Sequence, residues 1–188
     1  MAVKTIKEGN HMNITTYCAS SDGDKKNYIE GALEFGKYIA ESGSTLIYGG
    51  GKTGLMGAVS KSVIDNGGHA IGVITYHLKD IEGEQPGLDR CEEVETMAER
   101  KTRMIELGDA FVALPGGPGT LEEISEIISA KRLDLIKGPC ILFNQNGFYN
   151  PLKEFLSLMV KTGFYPEEAH KQIYFSNTIE EIIQILEK

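Results

Sequence analysis

The sequence has no tryptophan, few prolines and few cysteines, and these shortages narrow the classes of protein to which it can belong. Proline occurs 6 times and cysteine 3 times in 188 residues. Cys18, Cys91 and Cys140 have no CxxC spacing, so neither a disulfide framework nor a zinc knuckle is predicted, and a reducing, cytoplasmic compartment is expected. The sequence also lacks the apolar run of roughly 18 residues that a membrane-spanning helix needs. The chain is therefore predicted to lie outside membranes.

Basic residues are outnumbered by acidic ones. The chain has 19 lysines and arginines against 27 aspartates and glutamates, which gives a net charge of −8. A surface this acidic repels a phosphate backbone, so no nucleic-acid partner is expected. A small anion in a locally positive pocket remains compatible with this charge.

The length limits the number of domains. Apolar residues make up 41% of the sequence, which is enough for one buried core. A chain of 188 residues is too short for two ordinary domains joined by a linker. Residues 1–11, which end in Asn10-His11, are typical of a vector-encoded leader, with Met12 as the expected native start. A single domain is therefore expected over residues 12–188.

Short β-branched runs alternate with segments at helical spacing from Asn13 onward. The predicted strands are Ile14–Tyr17, Thr45–Tyr48, His69–Ile74, Ala110–Leu114, Pro139–Phe143 and a weaker Ile173–Phe175. The predicted helices are Lys25–Ser42, Gly54–Asn66, Thr96–Leu107, Thr120–Leu133, Pro151–Lys161 and Thr178–Leu186. Continuous apolar strands that are each followed by a helix indicate a parallel sheet covered on both faces. We therefore predict an α/β, Rossmann-like three-layer fold with a mostly parallel, doubly wound sheet, whose strand-to-helix loops meet at one ligand-binding edge.

One stretch, Thr75–Glu95, shows neither pattern and is predicted to be irregular. It is longer than the usual connection in an α/β protein, and loops of this length are commonly functional or mobile. Because it follows the third strand, it can fold over the ligand edge as a lid. The alternative is a surface insertion without function.

A first glycine loop, Gly49–Gly54, follows the second strand. A Walker A motif fails here because Leu46 stands where its first glycine is needed. The loop does have the GxGxxG spacing of dinucleotide-binding proteins, but the next strand ends in Ile74-Thr75-Tyr76-His77, without a carboxylate for a ribose hydroxyl. The bare backbone permits close approach of a phosphate or of another chain segment. A tight turn with no ligand is the alternative.

A second glycine loop, Pro115–Gly119, follows the fourth strand and opens a helix. Its unshielded amides and the helix dipole suit a phosphate, and Thr120 adds a hydroxyl. On a helical wheel Leu121, Ile124 and Ile128 form the buried stripe, and Glu123 lies at its border, where it can face a ligand. The alternative for Glu123 is a capping box with Thr120, in which its carboxylate turns back to the helix start.

The third pattern is the helix that contains Met97 and Met104. These residues share one face with Arg100 and Lys101. Two cations inside an apolar stripe are costly unless an anion meets them, so they are predicted to face the ligand cleft. Arg100 can grip an oxyanion through two parallel hydrogen bonds. The alternative is that both side chains extend to solvent.

These blocks occur in a characteristic order. They are GGGKTGLMG at 49–57, MAERKTRM at 97–104 and PGGPGTLEE at 115–123, accompanied by CASS at 18–21 and NGFY at 146–149. From about Ile14 to its end the chain closely resembles the Lonely Guy family, the cytokinin riboside 5′-monophosphate phosphoribohydrolases, some of which were formerly labelled lysine decarboxylases. Family members are Rossmann-like, usually dimeric, and hydrolyse a nucleoside 5′-monophosphate to the free base and ribose 5-phosphate.

The resemblance implies roles for individual residues. Arg100 and Glu123 match the two catalytic positions. Family substrate contacts match Lys101, Gly117, Pro118, Gly119, Thr120, Leu121, Glu122 and Ser129, with Glu82 or Glu84 from the long loop. The loops themselves add Gly116, Gly50, Gly51 and Ser20 as expected substrate or phosphate contacts. Pro118 replaces the tyrosine of plant relatives, and their tryptophan-containing segment after Ser129 is missing, so adenine and N6-prenylated adenine are both open as the base.

The chemistry of these residues agrees with the implied activity. Breaking an N-glycosidic bond builds positive charge on the sugar, which a carboxylate near the anomeric carbon stabilises. We expect Glu123 to orient water and stabilise that charge, and Arg100 to anchor the substrate and stabilise the departing negative charge.

No cofactor is expected, and no metal, because His69 and His77 lack partners at ligand spacing. Two rival functions remain. One is a nucleotide-binding carrier or sensor on the same fold. The other is an amino-acid decarboxylase, for which no lysine stands in a setting typical of a pyridoxal Schiff base.

Overall fold

One sheet lies between two layers of helices in the computed structural model, which describes residues 11–24 and 26–188. The strands are β1 (Asn13–Tyr17), β2 (Thr45–Tyr48), β3 (His69–Thr75), β4 (Arg90–Val94), β5 (Ala110–Ala113), β6 (Cys140–Phe143) and β7 (Ile173–Ser176). The helices are α1 (Lys26–Glu41), α2 (Gly54–Asp65), α3 (Tyr76–Glu82), α4 (Met97–Leu107), α5 (Pro118–Arg132), α6 (Asn150–Lys161), α7 (Glu167–His170) and α8 (Ile179–Leu186), with a 3₁₀ turn at Gln145–Gly147. Among these, no helix is long and apolar enough to cross a membrane. The predicted leader lies outside the described residues except for His11, and so does the predicted helix start at Lys25.

The sheet has seven strands in the order β4-β3-β2-β1-β5-β6-β7, and the strands pair in parallel. The register places Thr15 of β1 opposite Ile47 of β2 on one side and opposite Phe111 of β5 on the other. The predicted α/β, Rossmann-like fold is confirmed. The chain winds outward from β1 in one direction through β2 and in the other through β5, so the switch point lies between β1 and β5. In open α/β sheets this is where ligands bind.

Two apolar clusters hold the layers together, one on each face of the sheet. Helices α1, α2 and α8 cover one face, where Phe35, Ile39 and Val59 are fully buried. Helices α4 to α7 cover the other face, and Ile124 and Ile127 are fully buried there. Because both faces are covered, the central strands carry apolar residues on both sides, which explains their continuous apolar runs.

The prediction that Thr75–Glu95 is irregular is wrong. This stretch contains the short helix α3 and the strand β4, which pairs in parallel with β3. Strand β4 lies at the edge of the sheet and carries Arg90, Glu92 and Glu93, so it lacks the apolar run of an inner strand. An edge strand buries less of its surface, and its pattern is correspondingly weak in the sequence.

The predicted buried stripe of α5 needs one correction. Ile124 and Ile128 are buried as predicted, but Leu121 is 46% exposed and Ile127 takes its place in the core. The helix begins at Pro118, two residues before the predicted start. Proline is favoured in the first turn because the amides there donate no intrahelical hydrogen bond, so the N–H that proline lacks is not needed. The short helix α7 and the 3₁₀ turn were also not predicted.

Candidate active site

A cavity of about 300 Å³ opens at the carboxyl end of β1, beside the switch point of the sheet. It lies between the loop after β1, the start of α5 and the inner side of α4. Its lining residues are Thr16, Tyr17, Cys18, Ala19, Ser20, Ser21, Gly49, Met56, Leu78, Glu82, Met97, Arg100, Met104, Gly117, Pro118, Gly119, Thr120, Glu122 and Glu123. The cation among them is Arg100, and the carboxylates are those of Glu82, Glu122 and Glu123.

The start of α5 forms one wall of this cavity. Gly117 is the N-cap, and no heavy atom lies within 4 Å of the place where a side chain on Gly117 or Gly119 would begin. The backbone at both positions is therefore open to a ligand. The first helical hydrogen bond runs from the Leu121 amide to the Gly117 carbonyl, so earlier amides of the turn can bind an anion.

A buried ion pair forms the second wall. Arg100 Nη1 donates to Glu123 Oε1 at 2.7 Å, and Arg100 Nε donates to the Val73 carbonyl at 2.9 Å. The two charged side chains are 7% and 10% exposed. The capping box of Thr120 and Glu123 is therefore wrong, because the carboxylate faces α4 and not its own helix start. Arg100 does not extend to solvent either.

Electrostatics in the cavity follow from burial. Burial raises the pKa of the Glu123 carboxyl, and the Arg100 guanidinium opposes that rise. Burial, followed by the charge of Glu123, also raises the pKa values of the Tyr17 phenol and the Cys18 thiol, so both stay protonated at neutral pH. The cavity thus offers a carboxylate held by a guanidinium, next to neutral donors.

The helix α4 begins with a capping box and presents Arg100 inward. The Thr96 hydroxyl accepts from the Glu99 amide, and the Glu99 carboxylate accepts from the Thr96 amide, which together make a capping box. Arg100 and Met104 are buried on the inner side of this helix. Met97 stays 44% exposed at the mouth of the cavity.

The glycine loop before α5 is held by neighbouring segments. Tyr149 Oη donates to the Leu114 carbonyl at 2.7 Å, and the Ala19 amide donates to the Pro115 carbonyl at 3.3 Å. The Met56 amide in turn donates to the Ala19 carbonyl at 3.1 Å. The Asn-Gly-Phe-Tyr block therefore supports the loop from behind and does not reach the cavity.

The structure brings together some of the predicted site residues and separates others. Those that line the cavity are Arg100, Glu123, Gly117, Pro118, Gly119, Thr120, Glu122, Ser20 and Glu82. Lys101 lies outside the lining, and its ammonium pairs with Glu122 at 2.8 Å and Glu126 at 3.2 Å. Gly116 faces a neighbouring, smaller cavity, whereas Leu121 and Ser129 line a third one beside α6.

The remaining predicted contacts, Gly50, Gly51 and Glu84, do not line the cavity. Gly50 packs near Ile74, and Gly51 forms an isolated antiparallel bridge with Glu84. The Glu84 carboxylate pairs with Lys79 at 2.7 Å. Of the two acidic candidates in this region, Glu82 is the one that reaches the cavity.

Sequence reasoning did not single out several residues of the cavity. Tyr17 ends the central strand β1 and Cys18 follows it, whereas Met56 lies on α2 and Leu78 on α3. The usable signal for Tyr17 and Cys18 was their position at the carboxyl end of the strand next to the switch point. Within the described residues, no group of three or more His, Cys, Asp or Glu side chains could hold a metal ion.

Fold and site together define the class: a Rossmann-type α/β protein whose switch-point cavity joins the open start of a helix to a buried arginine–glutamate pair. A family model described as "Possible lysine decarboxylase" matches residues 56–186. The cytokinin riboside 5′-monophosphate phosphoribohydrolase LOG of Oryza sativa subsp. japonica is 44% identical over 177 residues, which cover 93% of this chain and 72% of the relative. The enzyme named LOG3 of Arabidopsis thaliana is 37% identical, with coverage of 98% and 86%. The chain therefore belongs to the Lonely Guy family, in agreement with the resemblance seen in its motifs.

Solved structures give the fold alone. The molybdenum cofactor carrier protein of Chlamydomonas reinhardtii matches with a TM-score of 0.70 and 22% identity, covering 95% of this chain and 100% of that one. The molybdenum cofactor binding protein of Rippkaea orientalis matches with a TM-score of 0.71 and 19% identity, covering 94% and 96%. At such identities the likeness supports the three-layer architecture and carries no ligand with it.

Proposed function

We propose that this protein is a cytokinin riboside 5′-monophosphate phosphoribohydrolase. It hydrolyses the bond between C1′ and the base nitrogen of adenosine 5′-monophosphate or an N6-substituted derivative. The hydroxyl of water ends on C1′, its proton ends on the departing base, and the products are the free base and ribose 5-phosphate. The observation that carries this proposal is the pair of Arg100 and Glu123, joined at 2.7 Å and buried in the cavity that the start of α5 also lines.

Glu123 acts on the sugar in this mechanism. As the bond to the base stretches, positive charge develops at C1′ and the ring oxygen, and an ionised carboxylate nearby favours that state over the bound substrate. The oxygen that accepts from Arg100 is held in place, which leaves Oε2 to orient the attacking water. Arg100 keeps the carboxylate ionised against the effect of burial, and it anchors the substrate.

The 5′-phosphate of the substrate binds at the start of α5, apart from the reacting bond. The open backbone at Gly117 and Gly119, the Thr120 hydroxyl and the Ser20 side chain offer donors at the positive end of the α5 dipole. Binding at this remote group positions the sugar for reaction, so a nucleoside without phosphate is expected to turn over poorly. Glu82 and Glu122 also line the cavity, and their carboxylates disfavour additional negative charge.

Product analysis with the purified protein tests this function. We expect incubation with adenosine 5′-monophosphate or its N6-prenylated form to release free base and ribose 5-phosphate in equal amounts, while the matching nucleosides stay intact. Chromatography of the base and a reducing-sugar assay follow both products, and the better of the two substrates defines the base preference. Saturable binding of the nucleotides without any base release would instead identify a carrier or sensor.

We also propose that the protein forms a homodimer through α5 and α6. Leu121, Phe155 and Leu158 are 46%, 54% and 53% exposed, and Phe164 beyond α6 is 82% exposed. Leu121, Phe155 and Phe164 line a cavity of about 350 Å³ between the helices. A contiguous apolar surface of this kind is typical of an interface.

The three free thiols agree with the expected cytoplasmic location.

A charge placed on this face is expected to separate the subunits. In Phe155→Asp, the carboxylate must be buried without a partner on association, which costs several kcal/mol. Light scattering after size-exclusion chromatography is expected to give the mass of a monomer for this variant and of a dimer for the unchanged protein. Ile81→Asp, at a 65% exposed position of α3, serves as the control and should remain dimeric. A Phe155→Asp protein that stays dimeric would place the interface elsewhere.

A further inference from the structure

The first residue of the glycine loop after β2 lies directly against the guanidinium of Arg100. Gly49 is buried and lines the cavity. A side-chain carbon built on Gly49 would lie 2.1 Å from Arg100 Nη2 and 3.0 Å from Met56 Sδ. Carbon and nitrogen atoms cannot approach so closely, so the present position of the guanidinium requires that residue 49 has no side chain.

The other glycines of this loop have different reasons to be glycine. Gly50 and Gly54 adopt φ angles of +79° and +60°, which disfavour other residues whatever the space. A side chain on Gly54 would also meet the backbone of Ser20 and Ser21 at 2.3 Å. Gly49 is not among the glycines with a positive φ, so lack of space excludes a side chain here, chiefly the space taken by the Arg100 guanidinium and secondly the contact with Met56 Sδ at 3.0 Å.

Arg100 has little freedom to move aside and keep its contacts. Its Nε–H is held by the Val73 carbonyl at 2.9 Å, its Nη1 by Glu123 at 2.7 Å, and the residue is 5% exposed. The planar guanidinium fixes these donors relative to one another. A displacement at Nη2 therefore moves Nε and Nη1 as well.

We propose that Gly49 is a positioning residue for the reaction: its missing side chain provides the slot in which the Arg100 guanidinium lies while it holds Glu123. The proposal rests on the proposed phosphoribohydrolase function and adds a residue that acts only through Arg100. It also gives the first glycine loop a task, since of its three leading glycines Gly49 is the one that lines the cavity.

The test is Gly49→Ala, alone and combined with Arg100→Ala. We expect kcat for base release to fall about 10²-fold in Gly49→Ala, the scale of loss when a reacting group is misplaced by an ångström. Because the displaced guanidinium no longer opposes burial of Glu123, the acid limb of the pH profile of kcat/KM should move to higher pH. In the Arg100→Ala background the slot is empty, so Gly49→Ala should change neither kcat nor the pH profile further.

A control separates positioning from general loss of stability. Gly67→Ala introduces strain at a φ angle of +73° in a turn where no atom crowds the new side chain. It should lower the midpoint of thermal unfolding but leave kcat and the acid limb unchanged. Wild-type kcat in Gly49→Ala, or equal losses in the two backgrounds, would overturn the proposal.

A measurement without turnover keeps this proposal distinct from the proposed function. In ¹⁵N NMR spectra, the Nε–H signal of Arg100, assigned by its absence in Arg100→Ala, should be protected from exchange with water in the unchanged protein. Gly49→Ala should shift this signal and abolish the protection. If the Arg100 Nε–H stays protected in Gly49→Ala, the Gly49 proposal is wrong even if base release is observed. If that protection is lost, the Gly49 proposal is supported even if the unchanged protein releases no base.

Discussion

Glu123→Gln is expected to reduce base release by about 10³-fold or more while nucleotide binding stays close to that of the unchanged protein. The amide keeps an oxygen that can accept the hydrogen bond of Arg100 at 2.7 Å, so the wall of the cavity stays intact. What the variant loses is the negative charge that stabilises the sugar cation. The loss therefore falls on the transition state, and it should appear in kcat more than in KM.

Two measurements check this result. Base release is followed by chromatography, and binding of adenosine 5′-monophosphate is followed by calorimetry with the same preparations. Glu126→Gln is the matched control, because Glu126 lies one turn further along α5 and pairs with Lys101 outside the cavity lining. If Glu123→Gln turned over as fast as the unchanged protein, Glu123 would have no part in the chemistry.

The raised pKa of Glu123 adds a pH signature to this prediction. The mechanism needs the ionised carboxylate, and burial shifts its protonation to higher pH than for an exposed glutamate. Turnover of the unchanged protein should therefore fail on acidification at a higher pH than an ordinary carboxyl would produce. The residual activity of Glu123→Gln should lack this acid limb.

Arg100→Ala is the second change with a large expected effect, on turnover and on stability together. Removing the guanidinium leaves Glu123 buried without its partner, and breaking a buried pair in this way costs about 3–5 kcal/mol. The pKa of Glu123 should then rise further, because the charge that opposed the effect of burial is gone. We expect kcat/KM to fall by about 10²–10³-fold, since the anchor is lost and a smaller fraction of Glu123 is ionised.

Arg100→Lys separates the effect of the positive charge from that of the planar guanidinium, and Arg103→Ala is a control on the same helix. Lysine keeps the positive charge but cannot hold Val73 and Glu123 in one plane, so its turnover should recover only in part. Arg103 lies on the outer side of α4 and pairs with Glu92 at 2.6 Å, so Arg103→Ala should leave kcat/KM unchanged. Denaturant unfolding measures the stability of each variant. Arg100→Ala with full activity would show that the buried pair serves the fold alone.

Much of the fold could be predicted from local pattern. The inner strands are covered on both faces, and their continuous apolar runs, together with the helical spacing between them, predict a parallel sheet. Strand β4 was not predicted because it is an edge strand with Arg90, Glu92 and Glu93 and has no such apolar run. Leu121 was assigned to the core because a helical wheel cannot show whether its side of the helix meets another element or solvent.

The amino-acid sequence by itself determined the alternation of strands and helices and the open backbone of the second glycine loop. It also placed Arg100 on the apolar face of one helix and Glu123 at the border of the apolar face of another. The tertiary structure alone decided which of these groups lie together. Arg100 lies 23 residues from Glu123 and 27 from Val73, so no local pattern could show that it holds both. Local pattern reports which backbone conformation and which buried face a segment prefers, whereas the partner of a buried charge depends on how segments distant in the chain pack together.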